Sequence, residues 1–189
     1  MKAYLDSNIL IDYVWTNEFT EKRRRPNGEI ARMFRSIDKE EFEPIISNFS
    51  LMELAKHLRD YFLLMSMIRD GFSYREFSRE RVNYSIDVTE EEKVDSIVAD
   101  LESHEKFTFL KVTNLEPAAI EKIECYIKRD IDLIDAFHLQ IALTAECECL
   151  VTKDNDFRVK ASQLAKGGSQ SMKIKVLNVA EFMQLKSSA

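Results

Sequence analysis

The chain has 189 residues, 45% of them hydrophobic, with only four glycines and three prolines, which fits one domain with a sizeable core and leaves no low-complexity linker to divide it. A formal net charge of −6 argues against a DNA-packaging or membrane-surface role, but still allows nucleic acid as the substrate of an acidic site. No stretch reaches the roughly 20 apolar residues of a membrane helix, and Asp6 and Asp12 interrupt the apolar N-terminal run with no small-residue cleavage site behind them, so a soluble, cytoplasmic protein is expected.

In chain order, "KAYL" reads as a short apolar strand, and "SNILIDYV" as a helix with apolar pairs at helical spacing that Ser7 or Asn8 can cap. The run "EKRRRPNGE" then brings Lys22, Arg23, Arg24 and Arg25 together; it reads as a solvated surface or as a set of phosphate contacts at the rim of a cleft. "EFEPIIS" is a second strand, Ser47 or Asn48 can cap, and "LMELAKHLRDYFLLMSMI" continues as an amphipathic helix.

From about residue 60 to residue 105 the rhythm changes to charged, aromatic-rich, helical sequence, read as a helical hairpin inserted into one domain spanning 1–189. Within it Arg69, Arg75, Arg79 and Arg81 are interleaved with Phe72, Tyr74 and Phe77. That composition can stack single-stranded RNA bases or pack the hairpin, and packing is the preferred reading. His57 and His104, in charged helical stretches, read as solvated.

Beyond it, "KFTFLKV" is a third strand, "EPAAIEKIECYIKR" a helix with a proline near its first turn, and "DLIDAFHLQIALTAE" a further helix. "CECLVT" and "MKIKVLNV" supply a fourth strand and a fifth. Alternating strands and helices predict a mainly parallel sheet of four to five strands with helices on both faces, a three-layer α/β/α sandwich. The odd count of cysteines (Cys125, Cys147, Cys149) excludes a complete disulfide framework and fits small buried residues in a reducing compartment.

In an open α/β sheet, ligands bind outside the carboxyl ends of the strands, and Asp6 stands there, directly after the first strand. Asp154 stands at the equivalent place after the fourth. Glu53 projects from the first turns of a helix rich in leucine, and Asp132 and Asp135, three residues apart, share a face of another. Asp6, Glu53, Asp135 and Asp154 can therefore converge on one edge of the sheet. Such a group, without basic partners, repels itself unless a divalent cation joins it. Oxygen donors select Mg²⁺ or Mn²⁺, and the chemistry this supports is in-line phosphodiester hydrolysis. His138, one turn after Asp135, reads as a hydrogen-bonding partner of the site or as a core histidine in preference to a general base.

Taken together these segments resemble the PIN-domain ribonucleases: "YLDSNILIDYV", "ISNFSLMEL", "DAFHLQIA" and "LVTKDNDF" look like that family's four acidic motifs, in family order. The resemblance implies metal-ligand roles for Asp6, Glu53, Asp135 and Asp154, with Asn8 and Thr152 as supporting polar groups and Asp156 as an accessory acid. It also implies a three-layer fold, Mg²⁺ or Mn²⁺ dependence, an RNA substrate cut to 5′-phosphate and 3′-hydroxyl ends, a homodimer, and a role as the toxin of a toxin–antitoxin pair whose antitoxin covers the acidic cleft.

Other readings stand beside these. Asp6 can be a helix N-cap, and Glu53 can complete a capping box with Ser50. Asp132 is read in the first place as the cap of its helix. Asp154 and Asp156 can be ordinary turn residues. At the level of function, a non-catalytic RNA- or protein-binding module and a DNA-directed nuclease are the alternatives.

Overall fold

Five short strands, all parallel, occupy the centre of the protein: β1 (Lys2–Leu5), β2 (Glu43–Ser47), β3 (Thr108–Leu110), β4 (Cys149–Val151) and β5 (Lys175–Leu177), in the spatial order β3-β2-β1-β4-β5. The structure, a computed structural model, describes residues 1–17, 28–167 and 173–187; the basic run Lys22 to Arg25 lies outside the described residues. Helices α1 (Ser7–Asn17), α2 (Gly28–Asp38), α3 (Asn48–Arg69), α4 (Tyr74–Glu80), α5 (Val88–Glu102), α6 (Pro117–Ile127), α7 (Leu133–Thr144), α8 (Asn155–Gly167) and α9 (Val179–Ser187) connect and cover the strands.

Alternation along β1 shows why the sheet is covered on both faces. Ala3 and Leu5 enter a core built with α1, α2, α3, α5 and α9 through residues such as Leu10, Met33, Leu54, Ile97 and Phe182. Tyr4, pointing the other way as the two-residue period of a strand requires, enters a second core with Leu139 of α7 and Phe157 of α8. The result is the three-layer α/β/α sandwich that the strand and helix alternation predicts. Parallel strands buried on both faces are apolar nearly throughout, and "CLV" of β4 is fully so.

Strand order reverses at β1. Its chain neighbour β2 lies on one side and β4, more than a hundred residues later, on the other, so a crevice opens beyond the carboxyl ends of β1 and β4. Asp6 N–H donates to the Val151 carbonyl at 3.1 Å and Thr152 N–H to the Leu177 carbonyl at 3.0 Å, which carries the ladder one residue past each strand and fixes the floor of that crevice.

Helix α3 begins on Ser47, whose Oγ accepts from the Ser50 N–H at 3.2 Å, and runs unbroken through Asp60 to Arg69. Its end is a hydrogen-bonded reversal: Gly71 N–H donates to Ile68 O and Phe72 N–H to Met67 O, with Gly71 at φ +88°, the left-handed conformation glycine adopts without strain. The chain then passes through α4, a single 3₁₀ turn (Arg81–Asn83), and α5. Val94, Ile97 and Leu101 of α5 bury against the same core as Leu51, Leu54 and Leu58 of α3. At the surface, Arg59 bridges Glu91 and Asp95 while Arg69 pairs with Glu90 at 2.8 Å.

Two readings of this stretch change in the structure. His104 is not solvated: Lys106 N–H donates to its Nδ1 at 3.1 Å, and its ring packs against Phe107 and Tyr13. The interleaved aromatics also divide, Phe72 packing edge-on against Tyr84 while Tyr74 stays 79% exposed. Cys147 and Cys149 are buried and Cys125 is exposed, all three free. Among the described residues no helix is long and apolar enough to cross a membrane.

Candidate metal centre

Asp6 is the first residue beyond β1, and its carboxylate is almost wholly buried. Three side-chain donors hold it. Ser7 Oγ–H reaches Oδ1 at 3.2 Å, while Asn8 Nδ2–H and Thr152 Oγ–H reach Oδ2 at 2.7 and 2.5 Å. Thr152 Oγ1 in turn accepts from Asn8 Nδ2 at 3.0 Å and from the Asp154 N–H at 2.9 Å, and the Asn8 carbonyl accepts from the Lys153 N–H at 3.0 Å. A ring of donors from α1 and the β4 turn therefore fixes the orientation of this carboxylate. Asp6 stands at the N-cap position of α1, but its side chain accepts from the Ser7, Asn8 and Thr152 side chains in place of a backbone N–H. Its main-chain carbonyl accepts the first turn of α1, from Ile9 and Leu10, while its side chain faces the crevice donors.

Glu53 comes from the second turn of α3. Because Ser47 is the cap, the capping-box position falls on Ser50, and the Ser50–Glu53 box is not formed. Glu53 Oε2 instead accepts from His138 Nε2, and that nitrogen also lies 3.7 Å from Asp6 Oδ1. Burial works to raise the Glu53 carboxyl, yet the hydrogen bond and charge of His138, with help from Ser7, hold it below the usual range. Among the described residues, Asp6, Glu53 and His138 form a group whose ligand atoms all lie within 4.8 Å of one another.

Asp135 stands on α7 one turn before His138. Its carboxyl is pushed up to about 7, first by burial and then by the charges of Asp6, Asp154 and Asp132, with His138 partly opposing. That order of influences places a concentration of negative charge at the crevice. Among the described residues, none of Asp6, Glu53, Asp135 and Asp154 forms an ion pair with lysine or arginine; the ion pairs of Asp6 and Glu53 are with His138 alone. Asp154 Oδ1 also accepts from the Phe157 N–H at 2.9 Å and so caps α8. Asp132 caps α7 through Ile134 N–H at 2.9 Å, as its preferred reading has it. Asp156 is exposed and pairs with Lys160 at 2.7 Å along the surface of α8.

A family model of the PIN domain matches residues 3–162. The chain belongs to the PIN-domain family. Its sheet order and two helical layers are accordingly the PIN three-layer fold, and membership supports a divalent-metal-dependent nuclease. The crystal structure of PAE2754 from Pyrobaculum aerophilum superposes over 100% of this chain and 97% of its own at 14% identity, with a TM-score of 0.47. No curated protein sequence matches the chain.

The donor set fits a hard divalent cation. Carboxylate oxygens dominate it, and Asp135, whose carboxyl is raised by burial first and then by the charges of Asp6, Asp154 and Asp132, stands among negative groups that such a cation would offset. Sequence reasoning missed the groups beneath these acids. Tyr4, Ser47 and Ser50 are fully buried and polar, and their hydroxyls meet under His138. The available signal was a tyrosine inside an otherwise apolar strand, whose hydroxyl needs a partner once buried.

Proposed function

We propose that this PIN domain is a Mg²⁺- or Mn²⁺-dependent endoribonuclease acting in the cytoplasm. The observation that carries the reading is the pair of buried or half-buried carboxylates, Asp6 and Glu53, held within reach of each other beside a third, Asp135, whose ionisation is suppressed by burial and then by the charges of Asp6, Asp154 and Asp132. Asp6, Glu53, Asp135 and Asp154 would hold the cation. When bound, it lowers the pKa of an attacking water and stabilises the leaving oxygen.

The protein's own residues prepare that chemistry. Ser7, Asn8 and Thr152 keep Asp6 aimed, His138 restrains Glu53, and Asp135 would release its proton on joining the set. Water being the nucleophile, the RNA 2′-hydroxyl takes no part, and the products carry 5′-phosphate and 3′-hydroxyl ends. End-group analysis of cleaved single-stranded and structured RNAs tests this: 2′,3′-cyclic phosphates would overturn the mechanism. Parallel incubation with DNA of the same sequences separates ribonuclease from deoxyribonuclease, and RNA binding without cutting identifies the non-catalytic module.

The family resemblance supports a biological setting as the toxin of a toxin–antitoxin pair, in homodimeric form, with an antitoxin that covers the acidic crevice. Induced expression of the wild type then arrests growth, and Asp6→Asn does not.

A further inference from the structure

Lys153 stands between two groups of the acidic crevice. Thr152 before it donates to Asp6 Oδ2 and accepts from the N–H of Asp154 after it. The main-chain N–H of Lys153 donates to Asn8 Oδ1 at 3.0 Å, and Asn8 in turn donates to Asp6 Oδ2 at 2.7 Å. The backbone of this lysine is therefore pinned at the crevice mouth, beside a buried carboxylate.

Its side chain goes elsewhere. The ammonium pairs at 2.7 Å with Asp12, farther along α1, and among the described residues it pairs with none of Asp6, Glu53, Asp135 and Asp154. The Lys153 side chain is 45% exposed, and an ion pair so open to solvent adds little to stability. An ammonium has three N–H donors. Asp12 is the side-chain partner of Lys153 among the described residues, which leaves donors for an acceptor that arrives from solvent.

Two electrostatic demands meet at this lysine. A phosphate backbone approaching a group of carboxylates is repelled, and a cation at the rim supplies the missing attraction. A lysine free to turn among those carboxylates would instead neutralise them and compete with a metal ion. The Asp12 contact satisfies both demands, since it holds the ammonium at the mouth and away from the acids.

We propose that Lys153 binds a backbone phosphate of the RNA at the crevice mouth, and that Asp12 is the positioning residue that keeps its ammonium there. The inference rests on the ribonuclease reading above. Lys106 supplies the comparison: it pairs with Glu40 at the same 2.7 Å, but these two residues precede β3 and β2, at the opposite end of the strands from the crevice.

The test is fluorescence anisotropy of labelled single-stranded RNAs of mixed sequence, titrated with the intact chain over a range of KCl, with Ca²⁺ in place of Mg²⁺. Each phosphate contact to a single strand contributes about 0.7 to the slope of log affinity against log salt. Lys153→Gln is expected to lower that slope by about 0.7 and to weaken every sequence alike. Lys153→Arg is expected to keep the wild-type slope, as is Lys106→Gln, which makes the same change of net charge. An unchanged slope in Lys153→Gln, or an equal drop in Lys106→Gln, would overturn the contact. Mn²⁺ titration without RNA reads the role of Asp12: Asp12→Asn is expected to lower Mn²⁺ affinity more with Lys153 in place than in Lys153→Gln, and equal losses would overturn that role. Loss of Mn²⁺ affinity in Lys153→Gln alone would assign its effects to a disturbed β4 turn and overturn the contact. A wild type that binds no RNA would overturn the ribonuclease reading together with this inference, whereas RNA binding by the wild type with an unchanged slope in Lys153→Gln overturns the inference alone.

Discussion

Thr152 and Asp6, 146 residues apart in the chain, meet at 2.5 Å, the threonine hydroxyl donating to Asp6 Oδ2. The contact exists because β1 and β4 are neighbours in the sheet, so the residue following each strand opens onto the same crevice. Thr152→Val keeps the side-chain shape and removes the donor from a buried carboxylate. A lost hydrogen bond to a charged group corresponds to about 1.5–3 kcal/mol, and urea denaturation in EDTA should show a loss of that order. Cleavage should fall too, because Asp6 is then held through Oδ2 by Asn8 alone. Unchanged stability would mean that the hydroxyl does not carry Asp6.

Asp135 gives the metal-free protein a pH dependence of definite sign. Its carboxyl is raised from 3.8 to about 7, by burial first and then by Asp6 and Asp154. Between those values the folded chain keeps a proton that the unfolded chain has lost, so this group's contribution to stability is fully present below 3.8 and is lost as pH rises through about 7. In EDTA, the Tm of wild type should therefore fall more between pH 5.5 and 8 than that of Asp135→Asn. Asp6→Asn should move the Asp135 midpoint down without restoring it fully, since burial remains; ¹³C NMR of the carboxyl groups reads this directly.

Metal affinity follows the same proton. A cation that needs ionised Asp135 competes with it, so Mn²⁺ should bind more tightly at pH 8 than at pH 6 and release a proton as it binds. Isothermal titration in two buffers of different ionisation enthalpy measures that release. No proton release at pH 6 would remove Asp135 from the metal set.

Away from the crevice, Leu54 and Gly71 separate packing from backbone conformation. Leu54 is fully buried between α3 and the sheet, and Leu54→Ala should destabilise by about 2–5 kcal/mol. Gly71 has open space around its Cβ position but φ at +88°, so Gly71→Ala should cost about 1 kcal/mol through conformation alone. Urea midpoints check both. A loss at Gly71 as large as that at Leu54 would contradict the open surroundings.

How much of this was legible in the sequence depends on the distance over which each contact forms. All five strands were marked by short apolar runs, the first two followed by residues that can cap a helix, and the sheet's parallel character followed from the helices between them. Asp6 and Asp154 were legible because strand ends carry their own signature. Glu53 was legible as an acid on an apolar helix. Its freedom from a capping box was not, since that depends on Ser47 instead of a later residue becoming the cap. The Tyr4, Ser47, Ser50 and His138 network joins three segments up to 134 residues apart, and nothing local announces it. His104 was misread because its neighbours in sequence are charged, whereas its neighbours in space are Tyr13 and Phe107. The far end of α3 was legible almost to the residue, since the amphipathic run reads through Ile68 and the helix ends at Arg69, where Gly71 permits a left-handed turn.

The central claim is that the Asp6 carboxylate helps hold a catalytic divalent cation, and cleavage of a mixed panel of single-stranded and structured RNAs with Mg²⁺, Mn²⁺ or EDTA, in wild type and Asp6→Asn side by side, tests it most directly. Cutting by the wild type that requires metal and disappears in Asp6→Asn is the predicted result; equal cutting by both proteins, or cutting that survives EDTA, would contradict it.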